Sequence, residues 1–312
     1  MGVAQWRWAW RLALPLALAL ALAGPGGAVA EWRLQHDEDF ARGVPPDPAF
    51  WMLESGFQRN QEKQYYTAHN LSVDSGYLRL EARREKVPNA AWQAGSRAWQ
   101  SSTKTARYTS ASLVARQALR YGRIEVVARS PSGAGAWPAI WLVHEGRGVY
   151  GEIDIFEAVG KHPDTVFAGI HYGREPRTRR HRSASRVVPG FEGSWHTHTL
   201  EWTPQRIAVA VDGQVLLEAN PDEGKTRDID PLRQPMVLRI NLALGGTWGG
   251  PIDDAKLPVS FDIRSIRIWQ WDPSAAASPN DGPVPPLPAS STAETPGPAA
   301  LRERSAGMRW GR

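Results

Sequence analysis

The chain is a succession of short segments in which apolar and polar residues alternate. Tyr77–Arg83, Arg123–Val126, Thr197–Trp202, Arg206–Val211 and Ser260–Trp269 all keep a period of two, the pattern of a strand with one buried face. The fourth of these ends in Asp212-Gly213, and the following Gln214–Glu218 extends it, which predicts a hairpin with a two-residue turn. No window carries the 3.6-residue period and the caps of a long amphipathic helix. Many short strands within one stretch of about 240 residues predict an all-β domain, a β-sandwich or jelly roll, over residues 31–272.

The two ends of the chain break this pattern. Arg7 and Arg11 precede a Leu/Ala run, Leu12 to Ala23, and Ala28-Val29-Ala30 offers small residues for cleavage. Residues 1–30 therefore read as a signal peptide, since an apolar run this short falls well below the ~20 residues of a membrane span. Secretion, or release into a periplasm, is the expected fate, with no membrane span after cleavage. From residue 273 to Arg312 the composition turns to Pro, Ala, Ser and Gly; such a segment buries too little apolar surface to offset its ordering entropy, and a disordered tail is expected.

Charge and composition narrow the function classes. The net charge is +5; removing +2 for residues 1–30 and +1 for the tail leaves about +2 on the domain, which does not suggest a nucleic-acid partner. The absence of cysteine excludes disulfides, zinc–thiolate sites and thiol nucleophiles. Of fifteen Trp residues, eleven fall in the domain. One by one they are expected in the core; several beside an acidic cluster would supply flat apolar faces for sugar rings.

The acidic cluster lies in Tyr150-Gly151-Glu152-Ile153-Asp154-Ile155-Phe156-Glu157. On a strand, Glu152 and Asp154 share one face and Ile153 and Ile155 the other. Strict alternation would send Glu157 to the apolar face, where an ionised carboxylate is costly. A β-bulge around Ile155-Phe156 restores the parity, putting all three acids in one cleft and Ile153 with one of the next pair in the core. Two glutamates four effective positions apart lie roughly 13 Å apart at the backbone. Long side chains leaning together on a curved sheet could close this to the ~5 Å of a retaining glycosidase pair. The residues alone also allow a solvated acidic edge or a calcium site.

The flanking segments resemble glycoside hydrolase family 16, in the bulged laminarinase (endo-β-1,3-glucanase) branch. Asn60–Thr67, Tyr108–Ala111, Tyr121–Glu125, Gly135–Leu142, the acidic strand, His171-Tyr172-Gly173, Thr199–Pro204, Val211-Asp212-Gly213 and Asn241–Trp248 follow in the family's order. The resemblance implies a jelly roll and a secreted retaining endo-glycosidase that hydrolyses β-1,3 or mixed β-1,3/1,4 glucan by double displacement. Glu152 would be the nucleophile, Asp154 the assisting carboxylate and Glu157 the general acid and base. Asn60, Trp137, Trp141, His171 and Asn241 would bind the polysaccharide. Catalysis would need no cofactor and a monomer would suffice; family members often carry a structural calcium, and Asp262 matches the acidic position involved. Arg147-Gly148-Val149-Tyr150 stands where laminarinases usually have Trp-Pro. A family 16 enzyme on algal galactans (agarase- or carrageenase-like), a transglycosylase and a non-catalytic β-glucan-binding protein are the alternatives.

One local run of charge stands apart. Arg174, Arg177, Arg179, Arg180, Arg182 and Arg186 crowd a short segment with only Glu175 against them. A solvated surface loop is one expectation; a loop that favours an anionic, sulfated or uronate-bearing chain through bidentate arginine contacts is the other.

Overall fold

The computed structural model describes residues 31–133 and 135–272; the expected signal peptide and tail lie outside the described residues. Two antiparallel sheets face each other. The first runs in the order Gln214–Ala219, Ile207–Val211, Trp195–Trp202, Gly122–Arg129, Val259–Asp272, Tyr77–Ala82 and Leu71–Asp74, with Glu31–Asp39 also paired to Val259–Asp272. The second runs Arg180–Val187, Thr165–Gly173, Val149–Glu157, Ala136–Gly146, Val237–Leu244, Ser112–Ala115 and Trp51–Leu53. This is the all-β sandwich that the alternating pattern predicts and the jelly roll that the resemblance implies.

Period-two alternation becomes burial directly. In Gly122–Arg129 every second residue is buried, and Ile124, Val126 and Ala128 enter the core. Tyr77–Ala82 contributes Leu78, Leu80 and Ala82 in the same way. Facing them from the second sheet are Ile140, Leu142, Ile153, Val166, Ile170, Ile240 and Leu242. Asp212 and Gly213 both have positive φ (49° and 73°) and join Val211 to Gln214, as a type I′ hairpin turn requires. Among the described residues no helix is long and apolar enough to cross a membrane.

The outer face of the second sheet carries apolar clusters beside its polar residues. Trp137, Val159, Phe167, Ala243 and Trp248 form one satellite cluster there, and Ala139, Trp141, Val143 and Tyr150 form another. These clusters sit at the two ends of a cleft on the face turned away from the core.

The basic segment is only partly a loop. Residues 180–187 form the edge strand of the cleft sheet, with Arg182 opposite Ile170 and Arg186 opposite Val166. Both arginines therefore share the face of core residues and reach across the open edge of the sandwich. Arg182 pairs with Glu223 at 2.9 Å and donates to the Glu218 carbonyl, while Arg186 donates to the Val215 carbonyl at 2.9 Å. Arg180 lies over Tyr172 and Arg174 pairs with Asp228 at 3.1 Å. Of the six arginines, Arg179 lines the cleft. Alternation on the edge strand turns Arg180, Arg182 and Arg186 to the side of the core residues, away from the cleft.

Gly151 shows how tightly the cleft sheet is packed from behind. A Cβ on it would lie 2.2 Å from the Pro231 carbonyl oxygen, in a turn anchored by Trp202 Nε1 donating to Leu232 O at 3.1 Å. Gly151→Ala is expected to destabilise the domain by about 1–3 kcal/mol through overpacking. Denaturant titration should show a lower midpoint at unchanged slope; an unchanged midpoint would mean that the turn yields freely.

Candidate active site

The acidic strand carries its bulge where the sequence requires one. Asp154 pairs with Trp141 and Phe156 with Ile140, so Ile155 is the extra residue. The shift recurs against the other neighbour, between Asp154 opposite Gly169 and Glu157 opposite Phe167. Ile155 and Phe156 are both fully buried in the main core, together with Ile153, a difference from the expectation that only one of the pair would point inward. Two consecutive inward side chains are what the bulge permits. The result is that Glu152, Asp154 and Glu157 all open into one pocket of about 210 Å³.

Each acid has its own environment. Glu152 is the least buried of the three; it accepts a hydrogen bond from the Tyr150 hydroxyl, and His171 Nε2 lies 3.4 Å from it. Tyr150 is pushed far above the ordinary phenol range by burial and by the neighbouring Glu152 charge, so it remains a donor. Asp154 is 4% exposed, and His171 Nε2 lies 3.1 Å from its Oδ2. Burial, then the Glu152 charge, pushes Asp154 well above the usual carboxylate range. Glycine is needed opposite it, because a Cβ on Gly169 would stand 2.8 Å from Asp154 Oδ2.

Glu157 accepts a 2.9 Å hydrogen bond from Trp137 Nε1 at Oε1. An indole N–H only donates, so a proton on this acid belongs on the other oxygen. Burial is the first cause, and the Asp154 charge the second, of a Glu157 pKa raised well above the usual range; the Trp137 bond opposes them. Glu157 is thus pushed toward its neutral form while Glu152 accepts a hydrogen bond, an arrangement compatible with an acid standing beside an acceptor.

The five expected substrate-binding residues come together around the acids. Asn60, Trp137, Trp141, His171 and Asn241 all line the pocket. Neither tryptophan is a freely offered stacking face. Trp137 is spent on Glu157 and packs edge-on against Trp248 at 5.4 Å. Trp141 donates to Asn241 Oδ1 at 2.8 Å and carries the guanidinium carbons of Arg59 and Arg239 at 5.3 and 5.2 Å from its ring centroid. Both arginines are held by Glu54 Oε1.

Several contributors escaped the sequence reading as individual functional residues. Glu62 is buried and accepts from Asn60, Gln64 and Tyr66, and burial raises its pKa. Arg59, Tyr150, Arg179 and Trp248 also line the pocket. The signal available for Tyr150 was its own alternation with Glu152; Arg59 and Arg179 lie in irregular segments with no period to place them. The turn at Arg147-Gly148, closing Gly146 onto Val149, occupies the usual Trp-Pro position, and Tyr150 fills the cleft instead.

Two metal readings meet the geometry differently. The donor atoms of Glu152, Asp154 and His171 lie within 4.8 Å of one another, the group with ligand-like spacing among the described residues, and they belong to the acid cluster itself. Asp262, where the resemblance implies calcium, does not fit that ion. Its Oδ1 accepts from Arg79 Nε at 3.1 Å and its Oδ2 from Arg129 Nη2 at 2.6 Å. Two guanidiniums satisfy the carboxylate, whereas calcium wants six to eight oxygen ligands and no adjacent cations.

Comparison with known proteins agrees with this geometry. Residues 58–258 match the model of Glycosyl hydrolases family 16. A β-glucanase of Rhodothermus marinus is 34% identical over 264 residues, 77% of this chain and 86% of the relative. The structure of the laminarinase from Rhodothermus marinus superposes with a TM-score of 0.64 at 34% identity, covering 78% of this chain and 99% of that one. A structure from work on endo-acting O-glycanases, expressed by prominent members of the human gut microbiota to initiate mucin breakdown, superposes with a TM-score of 0.71. It is 29% identical and covers 85% of this chain and 98% of its own.

The Trp137–Glu157 bond has a measurable consequence. Its N–H favours the ionised carboxylate, so Trp137→Phe should raise the Glu157 pKa and move the basic limb of the kcat/KM profile to higher pH. A limb that moves to lower pH, or stays, would contradict the assignment of Glu157 as the acid.

Proposed function

We propose, from the premise that the chain belongs to glycosyl hydrolase family 16, that it is a secreted, retaining endo-β-1,3-glucanase of laminarinase type. That it is a glycoside hydrolase of β-glucans follows from the family and its β-glucanase and laminarinase relatives. The retaining mechanism, the individual roles and secretion are our reading. The observation that carries it is the bulge, which turns Glu157 to the same side as Glu152 and Asp154.

In this mechanism Glu152 attacks the anomeric carbon while Glu157 protonates the departing glycosidic oxygen. Tyr150 and His171 orient Glu152 as an acceptor. Asp154, between the two, discourages ionisation of Glu157 until departure, and Glu157 then serves as base toward water. The cleft lining supports a neutral polymer. Burial pushes Glu62, Asp154 and Glu157 toward their neutral forms, leaving Glu145 and Glu152 against Arg59 and Arg179, so the cleft carries no excess of positive charge to draw an anionic chain.

A second reading is endo-hydrolysis of a mucin-type O-glycan. The observation in its favour is the better superposition on the O-glycanase structure, 0.71 against 0.64 over a larger share of the chain. Reducing-sugar release from laminarin, curdlan, barley glucan, agarose, carrageenan and mucin glycans separates the readings. Laminarin or barley glucan should head the series, and release from mucin glycans alone would favour the second. Glu157→Ala is expected to lose polysaccharide hydrolysis by about 10²- to 10⁴-fold, the worth of general acid catalysis. Azide should rescue it on substrates with good leaving groups and give the β-glycosyl azide. An α-azide product would overturn retention.

A further inference from the structure

His171 stands in the cleft sheet directly opposite Glu152 and is 5% exposed. Its Nε2 faces the carboxylates, 3.1 Å from Asp154 Oδ2 and 3.4 Å from Glu152 Oε1. Its Nδ1 faces a different kind of group, the Nε–H of Arg179 at 3.2 Å. A guanidinium has five donors and no acceptor, and it does not give up its proton in a protein. Nδ1 must therefore present its lone pair there, and the imidazole proton is left for Nε2.

We propose that Arg179 is a positioning residue that locks His171 in the neutral tautomer carrying its proton on Nε2, so that the ring always presents a donor to Asp154 and Glu152. The catalytic consequence rests on the glycosidase reading above; the tautomer itself does not.

The neighbours agree with this assignment. Glu152, Asp154 and Glu157 face the ring from the acidic strand, Tyr150 stands beyond Glu152, and His181 stacks on it from the edge strand at 5.4 Å between centroids. Three carboxylates would ordinarily draw a proton onto the imidazole. Burial and the Arg179 charge act the other way, and the His171 pKa is lowered. A cationic ring would put an N–H against the guanidinium and an extra positive charge beside the acids, favouring ionisation of Glu157 when it must stay protonated. The same guanidinium carbon lies 5.8 Å from the Tyr150 ring centroid, so Arg179 stands beside both groups that orient Glu152.

The lock explains why one arginine of the basic segment departs from the others. Arg182 and Arg186 tie the sandwich edge to the opposite sheet. Arg179, in the turn before that strand, is held by the Pro176 carbonyl and directs its Nε–H into the cleft.

The test is nitrogen NMR of 15N-histidine-labelled protein, read beside kinetics. In the wild-type protein the His171 Nδ1 should show the shift of an unprotonated ring nitrogen and Nε2 that of an N–H, without titration across the active pH range. In Arg179→Met the ring should mix tautomers or titrate as an imidazolium near neutrality. The same variant should lose about 10- to 100-fold in kcat, the scale of a small misplacement near the reacting groups, with KM changed less than about twofold and an unchanged melting temperature. Arg179→Lys keeps a donor and a charge and should recover part of both signals. A wild-type His171 protonated on Nδ1, or an Arg179→Met protein with wild-type tautomer and kcat, overturns the proposal. Wild-type protein with the predicted tautomer and no hydrolysis of any glucan would count against the glucanase reading alone.

Discussion

A strand that buries one face can set acids on the other only at even spacing, unless its backbone slips by one residue. Glu152 and Asp154 obey the rule and Glu157 does not; the slip at Ile155 reconciles them. The bulge is held from the core side, because Ile155 and Phe156 are both fully buried there. Removing it would demand either a carboxylate among Ile153, Ile140 and Leu142 or an aromatic ring in the cleft, and each alternative is costly. Hydrophobic packing between the sheets thus fixes the direction of the acids.

The electrostatics follow from this placement. Three carboxylates side by side, two of them nearly inaccessible to water, cannot all be ionised. Burial and neighbouring charge raise the pKa values of Asp154 and Glu157, while each acid keeps its own partner: Tyr150 donates to Glu152, Trp137 to Glu157, and His171 approaches Asp154. Two apolar clusters, around Trp137 and around Trp141, close the ends of the row and keep the dielectric low. The tryptophans of the cleft act first on the acids and the walls, and only then on a sugar ring.

Much of this was legible in the sequence. The alternation in Tyr77–Ala82, Gly122–Arg129 and Val259–Asp272 became the first sheet, and the odd spacing of Glu157 demanded the bulge before any coordinates. Asn60, Trp137, Trp141, His171 and Asn241 do meet around the acids. What was not legible depended on contacts distant in sequence. The arginines of 180–187 read as part of a loop because nothing local shows that they sit on an edge strand, reaching across to Gln214–Ala219. Asp262 read as a calcium ligand because its partners, Arg79 and Arg129, lie 183 and 133 residues away. Arg59 and Arg179 lie in irregular segments, where no period assigns a side chain to a face.

If the bulge turns Glu152 into the nucleophile with Glu157 as its acid, hydrolysis passes through a glycosyl-enzyme on Glu152. Trapping the glycosyl-enzyme with a 2-deoxy-2-fluoro-β-laminaribioside bearing a good leaving group, followed by peptide mass spectrometry, tests it most directly. One stoichiometric label, on Glu152, is expected. A label on Asp154 or Glu157, or turnover with inversion and no label at all, would contradict it.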